Sequence, residues 1–240
     1  MRRAAKEIEI QETEPRLDRA AALERKKSTK LAMIRAAARE AFAEKGFDAA
    51  TMQEIARRAR VAIGTLFLYA DNKRDIAFLA VLEDFDRARE IGAALPVSLP
   101  IVEQFAGIFG EYYKLHHQSP AMARIILSEF LFFNVGKHAQ LHAAGVQALK
   151  AELARRAALA VERGELQPAA VPSEVADLAY FVFQGTVRQW VRSGALNLDD
   201  GLAAFRHMMA LALTGVSRRE APPAPFTRGR RHAGGVSSKP

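Results

Sequence analysis

The six histidines are the side chains best suited to acid–base or metal chemistry, but their spacing supports neither. His116 and His117 are adjacent, so on a helix they would point about 100° apart and rarely bind one metal ion. His138 and His142 would share a helix face, but no further ligand lies close to them in the sequence. The chain has no cysteine, which excludes disulfides, thiolate zinc sites and cysteine nucleophiles.

Motifs of catalysis and nucleotide binding are also missing from the sequence. It contains no glycine-rich phosphate loop, no G-x-S-x-G and no H-E-x-x-H. We therefore predict that the protein is not an enzyme and has neither a metal centre nor a cofactor.

A different chemistry is available between residues 51 and 75, where the sequence reads TMQEIARRARVAIGTLFLYADNKRD. Two short helical stretches meet at a three-residue break, and the second carries five large apolar or aromatic residues within positions 63–69. A helix that short is marginal in water, so its apolar side chains need a partner. Apolar side chains contact thymine methyl groups, and hydroxyls and lysines bind phosphates, so this composition favours DNA as the partner.

Positive charge is unevenly distributed along the 240 residues, whose formal net charge is +8. Residues 1–28 carry +2, residues 29–75 carry +3, residues 76–217 carry −2 and residues 218–240 carry +5. Since the long middle is not basic, a polyanion is expected to bind near one end of the chain. No run of 18 apolar residues and no secretory signal appears, which predicts a soluble cytoplasmic protein without a membrane span.

Apolar residues recur at helical spacing, and no strand pattern stands out. The first helix is predicted to start near Ser28 and to end at a left-handed Gly46. Thr51 and Glu54 predict a capping box for a second helix, which ends near Ala59. Further helices are predicted at about 63–70, 73–89, 101–117, 120–134, 137–163, 173–193 and 198–215. The predicted fold is therefore all-α, with about nine helices.

These elements divide the chain into four parts. Residues 1–27 are predicted to be a disordered or loosely helical arm, and residues 218–240 a disordered basic tail. Residues 28–75 suit a three-helix DNA-binding domain with a helix-turn-helix motif at 51–70, in which the second helix of the motif enters the major groove. Residues 76–217 form a larger helical domain.

Residues 29–75 resemble the DNA-binding region of the TetR (tetracycline repressor) family of bacterial regulators. The matching stretches are GFDAATMQEIA, the pattern V-x-x-G-T-L-F-x-Y and NKRDI, in that order. The rest of the chain resembles the family only in its architecture, a helical body of the expected length. The resemblance implies a DNA-binding domain joined to a body that binds a ligand and dimerises.

The resemblance also implies which residues contact DNA. Thr51, Tyr69 and Lys73 take the positions that bind phosphates and set the register. Gln53, Ile63, Thr65 and Leu68 take positions that read bases. The full predicted set is Thr51, Gln53, Ile63, Gly64, Thr65, Phe67, Leu68, Tyr69 and Lys73.

Departures from the family pattern also lie in this region, among them Ile63 in place of a polar residue and Ala70-Asp71 in place of an aromatic and a proline or lysine. Arg60 stands in the turn where glycine is most common, so it is expected to adopt a left-handed conformation at some cost. Ala62 replaces a hydroxyl-bearing cap, which weakens the start of the recognition helix by about 1 kcal/mol. Phe67 replaces a tyrosine and removes a hydroxyl. The operator sequence therefore stays open.

In the body, the resemblance implies a pocket for a small, largely apolar effector. A single aromatic at helical spacing fits a core equally well, so both interpretations stay open. Gln184 lies among apolar neighbours, and a buried amide needs partners, which a ligand or another helix could supply. The candidate pocket residues are Phe109, Tyr113, His117, Met122, Phe130, Phe133 and Gln184.

The last two helices have broad apolar faces, and the resemblance implies that they pair across a twofold axis. The candidate interface residues are Val175, Leu178, Val182, Trp190, Phe205 and Met209. Twofold symmetry predicts an inverted-repeat operator with half-sites roughly 34–36 Å apart, or a small multiple of that distance. The predicted function is a dimeric repressor that a small molecule releases from double-stranded operator DNA. The alternative is a non-specific, architectural DNA-binding protein without a ligand response.

Overall fold

The computed structural model describes residues 2–130, 135–194 and 196–214, with the backbone alone for residues 2–20. Within these ranges the fold is all-α, as predicted, and contains nine helices. They are α1 (Arg2–Ala49), α2 (Met52–Arg58), α3 (Ile63–Phe67), α4 (Lys73–Ala93), α5 (Ile101–Gln118), α6 (Pro120–Glu129), α7 (Lys137–Glu162), α8 (Pro172–Ser193) and α9 (Leu198–Thr214).

Several helix boundaries differ from the predicted ones. Helix α1 begins at Arg2 rather than near Ser28, because its early residues are charged and show no apolar period to mark them as helical. Gly46 has φ 76° and ψ 174°, so its φ is positive as expected but its ψ is extended rather than left-handed helical. Helix α3 ends at Phe67 instead of Ala70, and α4 extends to Ala93. The predicted tail at 218–240 lies outside the described residues.

Helix α4 connects the two ends of the protein. It packs against α1 at one side and against α5 and α7 at the other, and α7, α8 and α9 follow in turn around α5. The predicted domain boundary at 75/76 therefore falls within α4, close to its first turn. The division into domains itself stays a prediction.

Helix α1 is fastened to α4 by arginines. Arg39 donates from Nε to the Ala80 carbonyl at 2.8 Å and pairs with the Asp84 carboxylate at 2.6 Å. One turn earlier, Arg35 pairs with Glu83. Because charge-assisted bonds of this kind fix geometry, they set the spacing between α1 and the α4 segment 80–84.

Candidate DNA-binding surface and ligand cavity

Thr51 caps α2 through one half of the predicted capping box. Its Oγ1 accepts a hydrogen bond from the backbone N–H of Glu54 at 3.2 Å. The Glu54 carboxylate does not return to Thr51; it pairs with Lys45 at 2.8 Å and with Arg58 at 2.7 Å. The predicted bond from Glu54 back to Thr51 was wrong, because two basic side chains bind the carboxylate instead. The hydrogen bond from Lys45, followed by the one from Arg58, lowers the pKa of Glu54. Thr51 is exposed, and its hydroxyl hydrogen is not used in the cap bond, so the predicted phosphate contact stays open to it.

The turn between α2 and α3 has the strain that its sequence predicts. Arg60 has φ 54°, and it is the only described non-glycine residue with a positive φ. Ala62 precedes α3 and makes no side-chain cap bond. The turn nevertheless closes, since Val61 donates its N–H to the Ala56 carbonyl at 3.0 Å.

One face of α3 is buried and the rest is exposed. Leu66 has no exposed surface and anchors the helix in the core of the domain. Phe67 and Leu68 are 49% and 82% exposed. Gly64 has open space where a side chain would project. We call Ile63, Gly64, Thr65, Phe67 and Leu68 the reading tip.

Lys73 is held against the end of α1. It donates from Nζ to the Asp48 carbonyl at 3.0 Å, and Nζ lies 4.6 Å from the centroid of the Phe47 ring. An ammonium group has three donors, so two remain for a phosphate. Gln53 is exposed on α2, and Tyr69 is half-buried behind the tip. The structure thus places all nine predicted residues around α2, α3 and the start of α4, while their contacts with DNA stay predictions.

A cavity of about 310 Å³ lies in the body. Its apolar wall includes Leu82 and Phe85 of α4, Phe130 after α6 and Phe183 of α8. Its polar groups come from α4, α5, α7 and α8; they are Asp86, Arg89, Tyr112, His116, His142, Tyr180, Gln184 and Arg188. The size lies at the lower end of the range for small-molecule sites, and the mixture of an apolar wall with few polar groups is typical of such sites.

Both histidines of the cavity are neutral near pH 7. Burial and, to a smaller extent, the charge of Arg188 together lower the pKa of His116 to about 4. Burial also lowers the pKa of His142 to about 4. The His142 ring lies among aromatic rings, with its centroid 5.3 to 5.5 Å from those of Phe78, Phe85 and Phe130.

A fully buried carboxylate joins the start of α4 to the start of α7. Asp75 accepts the N–H of His138 through Oδ1 at 2.8 Å, and the N–H of Asp71 through Oδ2 at 3.1 Å. The His138 Nδ1 lies 3.1 Å from the same Oδ2. Gly136 passes so close that an added Cβ would be 2.8 Å from Oδ1. We call Asp71, Asp75, Gly136 and His138 the Asp75 latch.

The far end of α4 is held by a buried arginine. Arg156 of α7 donates from Nη2 to the carbonyls of Ala93 and Leu95, both at 3.0 Å. Its Nη1 donates to the Gln104 Oε1 at 3.0 Å, and its Nε pairs with Glu152 at 2.7 Å. Arg156 therefore satisfies carbonyls that a helix end leaves free, and it fixes the end of α4 to α5 and α7.

Comparison with known proteins finds a family match in the first part of the chain. Residues 34–80 match the family model described as bacterial regulatory proteins, tetR family. That range contains the last third of α1 from Ile34, then α2, α3 and the start of α4. Over these residues the chain is similar to the tetR family.

One curated relative is the HTH-type transcriptional repressor KstR of Rhodococcus jostii (strain RHA1), which is 27% identical over 100 residues. The match covers 42% of this chain and spans about half (47%) of the length of that relative.

Solved structures share the fold over most of the chain. The fatty acid degradation regulator FadR from Bacillus halodurans aligns with TM-score 0.59 at 21% identity, covering 77% of this chain and 98% of that one. FadR from Bacillus subtilis, solved in complex with stearoyl-CoA, aligns with TM-score 0.61 at 22% identity and the same coverage. A putative TetR-family regulator from Syntrophomonas wolfei aligns with TM-score 0.63 at 14% identity, covering 80% and 98%. At these identities the likeness shows a tetR-type fold and no more.

Two of the predicted pocket residues, Phe130 and Gln184, lie in the cavity wall of this tetR-type body. Phe109 and Tyr113 do not; they are fully buried behind it, with Phe109 stacked on Phe183 at 4.5 Å between ring centroids. Tyr113 donates its hydroxyl to Thr186 at 2.9 Å. These two assignments were wrong because an aromatic period identifies an inward face without showing whether that face meets a cavity.

The remaining pocket assignments also need correction. His117 is exposed, with Nδ1 2.8 Å from the Leu196 carbonyl, and its neighbour His116 faces the cavity instead. The spacing of Phe109, Tyr112 and His116 along α5 would have favoured His116. Met122 lines a separate, smaller cavity. Phe133 lies outside the described residues. Sequence reasoning missed Arg188 and His142, because nothing in their local sequence marks them as inward-facing.

The predicted dimer residues divide into two groups. Val175, Trp190, Phe205 and Met209 are buried within the protomer, so they cannot form a contact surface, and those four assignments were wrong. Leu178 and Val182 are half-buried beside exposed Phe181, Met208 and Leu211. We call Leu178, Phe181, Val182, Met208 and Leu211 the apolar strip. Helices α8 and α9 are apolar on two faces, and the sequence alone does not show which face is covered internally.

The described ranges contain neither a candidate metal site nor a candidate membrane span. No group of three or more His, Cys, Asp or Glu side chains there could hold a metal ion. In those ranges no helix combines the length and the apolar character needed to cross a membrane.

Proposed function

We propose that the protein is a dimeric, sequence-specific transcriptional repressor that a small molecule releases from an inverted-repeat operator. The observation that carries the proposal is the reading tip, an exposed and mostly apolar helix end. Water is a poor partner for side chains such as Phe67 and Leu68, whereas thymine methyl groups in a major groove match them. The name of the relative KstR, a transcriptional repressor, agrees with this function.

The apolar strip supports a homodimer. Phe181 is 63% exposed, and Met208 and Leu211 are more than a third exposed, on two neighbouring helices of the same protomer. Several exposed, large apolar side chains on neighbouring helices favour a protein partner. A second copy, related by a twofold axis, would cover the strip with its own α8 and α9, and would place two reading tips on one face.

The Asp75 latch supports a route from the cavity to the DNA. His138 belongs to the first turn of α7, and the next turn supplies Leu141 and His142 to the cavity wall. A ligand that displaced this part of α7 would therefore disturb the bonds between His138 and Asp75. Because Asp75 also holds the backbone of Asp71, the change would reach the segment that follows the reading tip.

The energy that this release needs is modest. A ligand that weakens operator binding 100-fold must favour the released state by about 2.7 kcal/mol, at ~1.4 kcal/mol per decade. The B. subtilis FadR structure contains stearoyl-CoA, which supports a ligand-binding role for a body of this fold.

The test is selection of DNA by the purified protein, followed by affinity measurements on the selected sequence. We expect an inverted repeat, bound by a dimer at least about 10³-fold more tightly than random duplex at matched salt. Equal affinity for both duplexes would contradict the proposal and favour a non-specific DNA-binding protein. A selected site without twofold symmetry would contradict the dimer arrangement.

A further inference from the structure

The cavity has one positive charge without an acidic partner. Of its charged groups, Asp86 and Arg89 pair with each other at 2.7 Å on α4, and the two histidines are neutral. Arg188 donates from Nη1 to the backbone carbonyl of Gln184 at 2.9 Å and to its side-chain oxygen. No carboxylate of the described residues lies within ion-pair distance of Arg188. The cavity wall therefore has a net charge of +1, located on α8.

A buried polar group without a partner lies near this charge. His116 is only 3% exposed, and its side chain makes no hydrogen bond to any described residue. Its Nδ1 is shielded from solvent as well as unpaired. Most buried polar atoms have a partner, and leaving one without a partner destabilises the fold. His116 is close enough to Arg188 for the charge of the guanidinium to influence its titration.

Apolar and aromatic side chains form the larger part of the remaining wall, beside the polar groups of Asp86, Arg89, Tyr112, Tyr180 and Gln184. Phe85, Phe130 and Phe183 contribute to its wall, and the neutral His142 ring packs against the first two. A volume of about 310 Å³ would hold roughly ten water molecules at ~30 Å³ each, or a molecule of about ten to fifteen non-hydrogen atoms. Such a wall favours an aliphatic or aromatic body and gives it few hydrogen bonds.

We propose that the cavity binds an apolar carboxylic acid, with its carboxylate at Arg188 and His116 and its body among Phe85, Phe130 and Phe183. This inference rests on the proposed function, since the acid is the effector of that same body. The planar guanidinium matches a carboxylate geometrically, and the acid supplies the negative charge that the cavity wall lacks. The neutral imidazole donates one hydrogen bond to the second carboxylate oxygen through Nε2, since Nδ1 is shielded from the cavity.

The test compares two ligands of equal size and shape that differ in charge. Calorimetry on the full-length protein without DNA would measure the affinities of 4-phenylbutanoate and of its primary amide, and likewise of decanoate and decanamide. We expect each acid to bind about 10- to 100-fold more tightly than its amide, because a charge-assisted bond is lost with the charge. Equal affinities of acid and amide in the wild-type protein would overturn the inference without any variant.

Variants then locate the charge. Arg188→Gln should remove the preference for the acid. Arg188→Lys should keep part of it, because lysine supplies the positive charge but lacks the planar guanidinium with its paired donors. The matched control is Arg192→Gln, one turn further along α8 and exposed, which should keep the full preference. His116→Phe keeps a ring and should weaken the acid about tenfold. An acid preference that survives in Arg188→Gln would overturn the inference.

A second readout separates this inference from the proposed function. Release of the selected operator is measured with the same acids and with decanoyl-CoA. Binding of the acid without release would contradict the ligand response of the proposed function and leave the acid site standing. Release by the thioester together with no binding of the free acid would overturn the acid site and leave the proposed function standing.

Discussion

At the scale of single residues, neighbouring side chains in the predicted DNA-binding domain differ sharply in solvent exposure. Leu66 and Leu68 are two positions apart, yet one is fully buried and the other is 82% exposed. Lys73 is held beside Asp48 and Phe47, while its remaining donors are available. These differences separate stability from recognition, so substitutions can test each role alone.

For Lys73, we expect substitution by alanine to weaken binding to every DNA sequence by a similar factor. The ammonium group contacts a phosphate in our proposal, and phosphates are the same at every site. The slope of log affinity against log salt should fall by about one unit. Binding titrations at several salt concentrations would show this, with Lys114→Ala on the body as the control. A loss confined to one sequence would contradict the phosphate role.

For Leu68, substitution by glutamine should change which operator is preferred and should leave the unfolding free energy within about 0.5 kcal/mol of the wild type. The reason is that Leu68 is exposed at the reading tip. Leu66→Ala, the matched neighbour, should instead cost about 2–5 kcal/mol of stability. DNA selection and thermal unfolding measure the two effects. An unchanged operator preference in Leu68→Gln would place base reading elsewhere.

At the scale of elements, α4 is the helix on which both halves of the protein depend. Arg39 holds it to α1, the Asp75 latch holds its first turn to α7, and Arg156 holds its end. Gly136 approaches Asp75 closely in the latch. It has φ 115°, and a Cβ at this position would be only 2.8 Å from the Asp75 Oδ1.

Substitution of Gly136 by alanine therefore tests the latch. We expect Gly136→Ala to lower the unfolding free energy by more than the ~1–2 kcal/mol that a positive φ costs, and also to weaken operator binding. Gly164→Ala is the matched control, since Gly164 has φ 71° and nothing within 4 Å of an added Cβ. Unfolding and operator affinity would be measured for both. If the two variants had the same operator affinity, the latch would have no part in positioning the reading tip.

The elements also show what the sequence could predict. The order of the helices and most of their ends follow from apolar periodicity and from turn residues such as Gly46 and Pro120. The sequence does not show whether an inward-facing aromatic lies in the core or lines the cavity. Phe109 in the core and Phe130 at the cavity have the same local pattern. Asp75 belongs to the NKRDI stretch that resembles the family. Its partner His138 lies 63 residues away, and a single sequence does not reveal such a pairing.

At the scale of the whole molecule, the buried histidines make stability depend on pH. Burial lowers the pKa of His116 from its ordinary value to about 4. Between pH 6.5 and 4 the unfolded chain therefore binds a proton that the folded chain excludes. By linkage, the folded state has its full stability above pH 6.5 and loses it as the pH falls toward 4.

The expected loss from His116 alone is about 3 kcal/mol when the pH has fallen below 4. Denaturant unfolding at pH 7.5, 6, 5 and 4.5 would measure it. His116→Gln should reduce the slope of stability against pH in that window, while His117→Gln, at the exposed neighbouring position, should leave the slope unchanged. An equal slope in wild type and His116→Gln would show that the imidazole is protonated at little cost.

The anchoring of α4 at Arg156 has a mechanical consequence. A helix of 21 residues is about 30 Å long. If α4 pivots at the end that Arg156 holds, a tilt of about 5° displaces the opposite end by roughly 3 Å, which approaches the rise of one base pair (about 3.4 Å). A shift of about 1.3 Å around a bound molecule near the middle of α4 would thereby be doubled at its first turn, and a pair of grooves at fixed separation would not tolerate that mismatch.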